Sequence, residues 1–196
     1  MSHYFDESPT TRSRSGSVAL TVGDRTLTLA TDRGVFSADR LDPGTAVLLD
    51  TVPTPPSAGD LLDLGCGYGP IALTMAVQAP GATVWAVDVN ERARELTAAN
   101  AKAAGLDNVR VAHPDDVPEQ VRFVELWSNP PIRIGKAPLH ALLLDWLPRV
   151  EGASYLVVQR HLGADSLRTW LIEQGWETEK IRSRKAFRVF SARRAG

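Results

Sequence analysis

The residues with the clearest potential for chemistry form a glycine-rich segment, 63–69, which has the sequence DLGCGYG. Asp63 ends a short apolar run, and glycines then fall at every second position, at Gly65, Gly67 and Gly69. Glycine tolerates positive φ and lets a ligand approach the main chain closely. Because an apolar helical pattern follows, the segment predicts a buried strand, a tight turn and a helix N-terminus that together hold a ligand against the backbone.

An acidic residue, Asp88, stands at the end of a second predicted strand, residues 83–88. An acid at the end of the second strand of a βαβ unit is placed to accept hydrogen bonds from two ribose hydroxyls. We therefore expect a cofactor that contains a nucleoside. A pyrophosphate is the poorer fit, because its fingerprint is G-x-G-x-x-G and here Gly69 follows Gly67 by only two residues.

Two segments of the chain resemble motifs of one enzyme family. Residues 63–69 are similar to the first motif of the class I S-adenosylmethionine (SAM) methyltransferases, and residues 129–132, NPPI, resemble their N-P-P-[FYW/I] motif. Enzymes with the second motif methylate planar amino groups. The resemblance implies that SAM is the cofactor, that Asp88 holds its ribose, and that an acid in the loop after the third strand, Asp115 in preference to Asp116, accepts from its adenine amino group. The cofactor-binding residues expected on this basis are Asp63, Gly65, Gly67, Gly69, Asp88, Asp115 and Phe36.

The residue types in the loop at Asn129 predict a stiff backbone. Asn129 precedes a proline and is therefore pushed into an extended conformation, while Pro130 and Pro131 have a fixed φ and no N–H. The stiff loop presents the Asn129 side-chain oxygen and the Pro130 carbonyl oxygen together. Two acceptors on the hydrogens of an aromatic amine favour a pyramidal nitrogen, which stabilises and positions its attack on a methyl group. We expect the catalytic residues to be Asn129, Pro130, Pro131 and Ile132.

The position of Ile132 departs from the usual motif, where an aromatic residue stacks on the target base. Aliphatic packing on a base is weaker, and Trp127 or Phe36 are the candidates to supply a ring instead. Two cations, Arg133 and Lys136, follow directly. Cations beside a target pocket suit a phosphate backbone, although a solvated loop has the same composition.

The C-terminal stretch, residues 180–196, contains seven Lys or Arg and no acid. Such a stretch is either a solvated face or a strip that faces RNA. Of these residues we expect Arg184 to contact the substrate, together with Arg133 and Lys136.

Nearly the whole chain, residues 5–190, resembles the "methyltransferase small" domain, and in particular the bacterial ribosomal RNA guanine-N2 methyltransferases. Residues 31–37 resemble the lead-in of that group, whose Gly-Val-Phe part lies near the cofactor. Many members carry a second, degenerate copy of the domain, for which these 196 residues have no room. The resemblance implies methylation of a guanine exocyclic amine in ribosomal RNA, with that RNA or the small ribosomal subunit as partner.

Two alternatives to this function stay open at the level of sequence. The first is methylation of another planar amine or amide, in DNA adenine, a protein glutamine or a small molecule. The second is a catalytically silent RNA-binding module with the same fold. The intact Asp63, Asp88 and Asn129 argue against the silent module.

The elements that position these residues alternate between short apolar runs and helical patterns. This alternation predicts an α/β fold, namely a doubly wound, mostly parallel, seven-stranded Rossmann-like sheet. The runs 17–22 and 25–30 flank Gly23-Asp24 and predict an N-terminal β-hairpin extension. We expect residues 1–16 to be a flexible arm and residues 17–196 to form one domain.

Composition limits the functional classes. The chain has 196 residues, 43% of them hydrophobic, and a net charge of −1, values typical of one globular domain. No apolar run is long enough to span a membrane. Cys66 is the single cysteine, which fits a reducing cytoplasm. The histidines His3, His140 and His161 lack metal-ligand spacing, so no metal is expected.

Overall fold

A seven-stranded sheet forms the centre of the structure, and a separate two-stranded hairpin packs on helices at one of its faces. The computed structural model describes residues 15–32 and 40–195. The strands are β1 (Ser15–Val22), β2 (Arg25–Asp32), β3 (Gly59–Leu64), β4 (Ala82–Val87), β5 (Val109–Ala112), β6 (Phe123–Ser128), β7 (Val150–Gln159), β8 (Trp176–Arg184) and β9 (Phe187–Arg194). The helices are α1 (Pro43–Leu49), α2 (Pro70–Gln78), α3 (Glu91–Ala103), α4 (Lys136–Trp146) and α5 (Ala164–Glu173).

The strand order in the larger sheet is β5-β4-β3-β6-β7-β9-β8. The strands from β5 to β7 are parallel, whereas β9 runs antiparallel to both β7 and β8. The chain moves outward from β3 in one direction and returns to start again at β6, so the topological switch point lies between these two strands. The predicted doubly wound, mostly parallel sheet of seven strands is confirmed.

Both faces of the sheet are covered by apolar packing. Leu61 of β3 packs with buried residues of the hairpin and of helices α1, α2 and α3, while its neighbour Leu62 packs with helices α4 and α5. Val84 and Trp85 of β4 divide between the faces in the same way. Because side chains alternate along a strand and both faces are buried, apolar residues occupy consecutive positions in these strands, and such runs predict buried strands.

The hairpin formed by β1 and β2 is confirmed, with Val22 paired to Arg25 across the turn. Helix α3 fastens it to the domain, because the Ala30 amide donates to Asn100 Oδ1 at 2.7 Å and Asn100 Nδ2 donates to the Ala30 carbonyl at 3.0 Å. Residues 15 and 16, which we expected to belong to the arm, are part of β1. The rest of that predicted arm lies outside the described residues.

The start of α1 differs from expectation. The sequence at residues 42–44, DPG, predicts a turn, but this segment begins a helix. Asp42 is the N-cap and accepts from the Thr45 amide at 2.9 Å, and the following proline occupies a first-turn position that needs no N–H. The helix forms because Val47 and Leu48 are buried in the core, a tertiary effect that the local pattern does not contain.

The sequence predicts a helix over residues 138–147 that Pro148 stops, and the corresponding helix α4 begins two residues earlier, at Lys136. Pro138 lies within the first turn, where a missing N–H breaks no helical hydrogen bond. The helix ends at Trp146, before Pro148, as predicted. Over residues 15–32 and 40–195, no helix is long and apolar enough to cross a membrane.

Candidate active site

The glycine loop lies between β3 and α2. Gly65, Gly67 and Gly69 all have positive φ, at 79°, 58° and 95°. The amides of Gly65 and Cys66 both donate to the Val87 carbonyl, at 2.8 and 3.1 Å, which curls the loop over the end of β4. The sequence predicted this turn correctly, because positive φ favours glycine.

Helix α3 holds the glycine loop from the outside. The Thr97 hydroxyl donates to the Gly67 carbonyl at 2.9 Å, and Asn100 Nδ2 donates to the Tyr68 carbonyl at 2.9 Å. Both side chains are buried. We did not identify them from the sequence, since a polar residue on a helix gives no local sign of what it contacts. These bonds leave the loop with little freedom to move when a ligand binds.

Asp63 lies beneath the loop and is fully buried, with 0% of its surface exposed. Its Oδ2 accepts from the Ala72 amide in the first turn of α2 at 2.9 Å, and its Oδ1 has no hydrogen-bond partner among the described residues. Burial raises the pKa of this carboxyl well above its usual value, although the Ala72 bond acts in the opposite direction. Asp63 is therefore placed to fix the start of α2, and any contact of its own with the cofactor remains a prediction.

Asp88 follows β4, and each of its carboxylate oxygens accepts a hydrogen bond from a different backbone amide. Oδ2 accepts from Gly67 at 3.0 Å and Oδ1 accepts from Asn90 at 2.9 Å. Burial raises its pKa, while these two bonds and the positive charge of Arg94 lower it. Each carboxylate oxygen has two lone pairs, so both retain one acceptor position for the ribose hydroxyls that the sequence predicts here.

Two further predicted cofactor contacts are left untested. Asp115 lies in a short 3₁₀ turn after β5, and 89% of its side chain is exposed. Its amide donates to His113 Nδ1 at 3.3 Å. It stands at the carboxyl edge of the sheet, as an adenine contact would require, and its Oδ2 lies 3.5 Å from His113 Nδ1. Phe36 lies outside the described residues.

The loop after β6 has the stiffness expected of two prolines. The Ile132 amide donates to the Pro130 carbonyl at 2.8 Å, and Pro131 between them has φ −73° and ψ 70°, an inverse γ-turn. Pro130 is buried and Asn129 is half-buried. The Pro130 carbonyl already accepts one hydrogen bond, so one lone pair is left for a substrate amine.

Two residues of the α1 segment hold the Asn129 side chain. Its Nδ2 donates to Asp42 Oδ1 at 2.8 Å and to the Thr45 hydroxyl at 3.0 Å. A carboxylate only accepts, so the amide nitrogen of Asn129 must face it and the amide oxygen must face away. No local sequence pattern indicates this contact, because 87 residues separate Asp42 from Asn129.

Asn129 and Asp42 line two cavities at once. The first cavity also contains residues of the glycine loop, including Gly65, Gly67 and Tyr68. The second cavity is lined by the loop at Asn129, by the paired strands β7 and β9 and by the turn after β7, with Pro130, Pro131, Ile132, Arg133, Gln159, Leu162 and Phe187. The first is the glycine-loop cavity and the second the open cavity, and Asn129 belongs to both.

Polar groups of the kind that SAM requires lie around the glycine loop. The Tyr68 hydroxyl is buried and has no hydrogen-bond partner among the described residues, and burial, reinforced by the charge of Asp42, raises its pKa to about 12. Tyr68 is thus a neutral donor available to a polar group. Asp88 lies outside the lining of the glycine-loop cavity, but its remaining lone pairs, the glycine backbone and Tyr68 together supply donors and acceptors for a nucleoside linked to an amino acid.

Trp127 is not a base platform, contrary to one expectation. Only 1% of its surface is exposed, and it belongs to the apolar core. Its Nε1 donates to Glu125 Oε1 at 2.7 Å, which supplies the partner that a buried acid in a strand requires. The ring beside the loop at Asn129 is instead that of Phe187 in β9, which lines the second cavity.

The predicted substrate cations occupy different settings. Arg133 is exposed and lines the second cavity, and Lys136 is exposed and lines a neighbouring depression that also contains Ile132. Arg184 lies on the edge strand β8 and forms an ion pair with Asp50. The structure therefore brings Arg133 and Lys136 to the loop at Asn129, whereas Arg184 shares the single charge of Asp50 with Arg182.

Comparison with known proteins gives a consistent result. A family model described as the methyltransferase small domain matches residues 26–191. The uncharacterized protein YbxB of Bacillus subtilis (strain 168) is 33% identical over 197 aligned residues, with 98% of each chain covered. Ribosomal RNA small subunit methyltransferase C of Aeromonas hydrophila is 37% identical over 119 residues, covering 61% of this chain and 34% of that protein.

A solved structure shares the fold. The T. thermophilus 16S rRNA N2 G1207 methyltransferase (RsmC), in complex with AdoMet and guanosine, superposes with a TM-score of 0.78 at 23% identity. The match covers 95% of this chain and 52% of that one. The chain thus spans about a third to a half of the length of these two ribosomal RNA methyltransferases.

Proposed function

The chain belongs to the methyltransferase small domain family of SAM-dependent methyltransferases, and we propose that within this family it methylates the exocyclic N2 amine of guanine in ribosomal RNA. The observation that carries the proposal is the position of Asn129. Its side chain lies in the walls of both the glycine-loop cavity and the open cavity. A group in that position can hold an amine against a methyl donor bound on the other side.

The chemistry follows from two oxygens of the loop formed by residues 129–132, which we call the catalytic loop. Bound SAM supplies an electrophilic methyl group. Asn129 Oδ1 and the free lone pair of the Pro130 carbonyl accept the two amine hydrogens, which favours a pyramidal nitrogen with an available lone pair. As the new N–C bond forms, the sulfur–methyl bond breaks and its electron pair stays on the sulfur, which becomes a neutral thioether. The nitrogen becomes positively charged and acidic, so its surplus proton leaves to water without a dedicated base.

The open cavity suits a planar base with a polar edge. Phe187 and Ile132 provide an aromatic and an aliphatic surface for the faces of the ring. Gln159, which pairs with Phe187 across β7 and β9, brings an amide that both donates and accepts. A guanine presents an acceptor and a donor along the edge next to its amine, so this amide matches it.

A ribosomal RNA substrate accounts for the exposed cations at the catalytic loop. In this proposal Arg133 and Lys136, which line the two cavities that share Ile132, contact phosphates on either side of a base turned out into the open cavity. The similar RsmC protein is named for the same chemistry and was solved with guanosine. The cytoplasm, where ribosomal subunits are found, is the compartment that this substrate implies.

The test is transfer of label from methyl-labelled SAM to separate pools of naked ribosomal RNA, assembled small subunits, transfer RNA, DNA and total protein. We expect label in ribosomal RNA or the small subunit, recovered as N2-methylguanosine after nuclease digestion. The Asn129→Ala variant, incubated in parallel, is the control for contaminating enzymes. Label found only in DNA or protein would refute the RNA substrate while keeping amine methylation, and a wild-type protein that binds SAM but labels no pool would point to a small-molecule substrate.

A further inference from the structure

We propose that Asp42 is a positioning residue for methyl transfer: it fixes the rotamer and the orientation of the Asn129 amide, so that the oxygen and not the nitrogen faces the substrate amine. This inference rests on the proposed role of Asn129. An asparagine side chain is nearly symmetric in shape, but its two ends have opposite hydrogen-bonding character. A rotated amide would present two donors to an amine and would repel it.

The contacts at Asn129 select one orientation. Nδ2 donates to Asp42 Oδ1 at 2.8 Å and to the Thr45 hydroxyl at 3.0 Å. The carboxylate cannot donate, so the reversed amide would bring two oxygens together and lose a charge-assisted hydrogen bond. The amide oxygen is thereby directed away from α1.

Asp42 is itself held in place. The same Oδ1 accepts from the Thr45 amide at 2.9 Å as the N-cap of α1, and Thr45 is buried. The helix therefore serves as a fixed support for the carboxylate, and through it for Asn129. One carboxylate oxygen links the first turn of α1 to the catalytic loop.

Gly44 shows how closely this support fits against the substrate cavity. A Cβ at this position would lie 2.9 Å from Asp42 Oδ1 and 2.9 Å from a ring carbon of Phe187. The N-terminus of α1 is thus packed directly between the carboxylate and the aromatic wall of the open cavity. Only a residue without a side chain leaves both in position.

Three substitutions separate positioning from folding. Asp42→Ser keeps an N-cap, because serine also accepts from the amides of the first turn, but its hydroxyl is one bond too short to reach Asn129. Asp42→Asn keeps both contacts: the Thr45 amide requires an oxygen at the cap position, so that oxygen remains available to Asn129. Asp42→Asn thus removes the charge alone and is the conservative rescue of Asp42→Ser. Asn129→Ala removes the group on which Asp42 is proposed to act.

The first readout needs no substrate. The chain has four asparagines, so selective ¹⁵N-asparagine labelling gives a simple side-chain spectrum, and Asn129→Ala assigns the signal of interest. We expect the Asn129 side-chain amide to exchange its hydrogens about tenfold faster in Asp42→Ser than in the wild type. The reason is that the variant loses one charge-assisted hydrogen bond to this amide. Asn100, whose Nδ2 is held by the Ala30 and Tyr68 carbonyls, is the internal control and should not change.

The second readout is steady-state methyl transfer with the substrate that the pool experiment identifies. We expect Asp42→Ser to lower kcat on the order of 10- to 100-fold, the scale of a misplaced catalytic group, with the KM for substrate and the Kd for SAM little changed. Asp42→Asn should recover most of this loss. In the Asn129→Ala background, Asp42→Ser should have no further effect, because the two residues act as one unit.

Two results would overturn the proposal. Unchanged Asn129 exchange in a folded Asp42→Ser protein would show that Asp42 does not hold the amide, whatever the substrate is. An equal loss of kcat in Asp42→Ser and Asp42→Asn would show that charge and not position matters. Failure of every pool to accept label would refute the proposed substrate alone, since the exchange experiment does not depend on it.

Discussion

The Gly67 amide donates to Asp88 Oδ2 at 3.0 Å, so the acid that ends β4 also braces the glycine loop that follows β3. The two motifs that are predicted to bind the cofactor are therefore one hydrogen-bonded unit. The remaining lone pairs of the same carboxylate are the ones available to a ribose. Loss of Asp88 should for this reason affect the cofactor twice, through its own contact and through the loop.

We predict that Asp88→Ala weakens SAM binding by about 1–3 kcal/mol, the scale of lost hydrogen bonds to a charged group. Isothermal titration calorimetry measures this directly. Asp145→Asn, which neutralises an exposed carboxylate on α4, is the matched control and should bind SAM normally. If Asp88→Ala binds SAM as tightly as the wild type, the ribose is held elsewhere.

Asn129→Ala should lower kcat by about 10²–10³-fold, the usual loss when one preorganised electrostatic contact is removed. The Kd for SAM should stay close to the wild-type value, because the glycine loop and Asp88 are intact. Asn108→Ala is the control: its side chain bonds the carbonyls of Ala76, Ala79 and Ala82, so its removal should lower stability and leave kcat unchanged. A parallel loss of SAM binding and kcat in Asn129→Ala would assign Asn129 a structural role.

Gly69→Ala should destabilise the fold by about 1–3 kcal/mol, because the residue has φ 95° and positive φ is costly with a side chain. A Cβ there would also lie 2.9 Å from Leu73 Cδ1 and 3.0 Å from Thr97 Cγ2. Gly105 has φ 66°, and no atom lies within 4 Å of the carbon that Gly105→Ala would add. This variant therefore measures the cost in unfolding free energy of positive φ alone, without a steric clash. Urea denaturation should show a larger loss for Gly69→Ala, and equal losses would mean that the loop yields to the added carbon.

Glu125 should make stability fall as pH rises. Burial, the largest influence, raises its pKa from 4.5 to about 7, although the Trp127 indole and the charge of Arg193 act in the opposite direction. Between these values the folded state binds more protons than the unfolded state, so the stabilising contribution is complete below pH 4.5 and is lost as pH rises through about 7.

Glu125→Gln tests this, because glutamine can still accept from the Trp127 indole but does not titrate. The wild type should lose stability relative to the variant between pH 4.5 and about 7 in denaturant titrations. The comparison cancels the effect of Asp63, whose pKa is also raised. A difference in stability that does not vary with pH would contradict the raised pKa.

If the substrate is RNA, its affinity should depend on salt through the cations at the catalytic loop. Arg133→Ala and Lys136→Ala should each reduce the slope of log K against log salt by about 1, the value for one phosphate contact. Arg184→Ala is the comparison, because Arg184 is already paired with Asp50 and should change the slope less. If all three variants reduce the slope equally, Arg184 also contacts the RNA. If Arg133→Ala and Lys136→Ala leave the slope unchanged, these two residues do not contact it.

Much of the site could be predicted from the sequence because it is encoded over short distances. A glycine at positive φ, an acid at a strand end and an asparagine before two prolines are each constrained by their immediate neighbours. The order of strands and helices then places these segments at one edge of a parallel sheet. This is why the glycine loop, Asp88 and the loop at Asn129 meet as expected.

Only the tertiary structure decided what supports and surrounds those segments. Three such relationships join residues from different elements. Asp42 pairs with Asn129, Phe187 and not Trp127 is the ring at the open cavity, and Asn100 holds the glycine loop. A sequence pattern records which backbone conformations a segment permits and which residues are apolar. It does not record which polar side chains meet across the fold, because those contacts depend on how helices and strands pack over long separations in the chain.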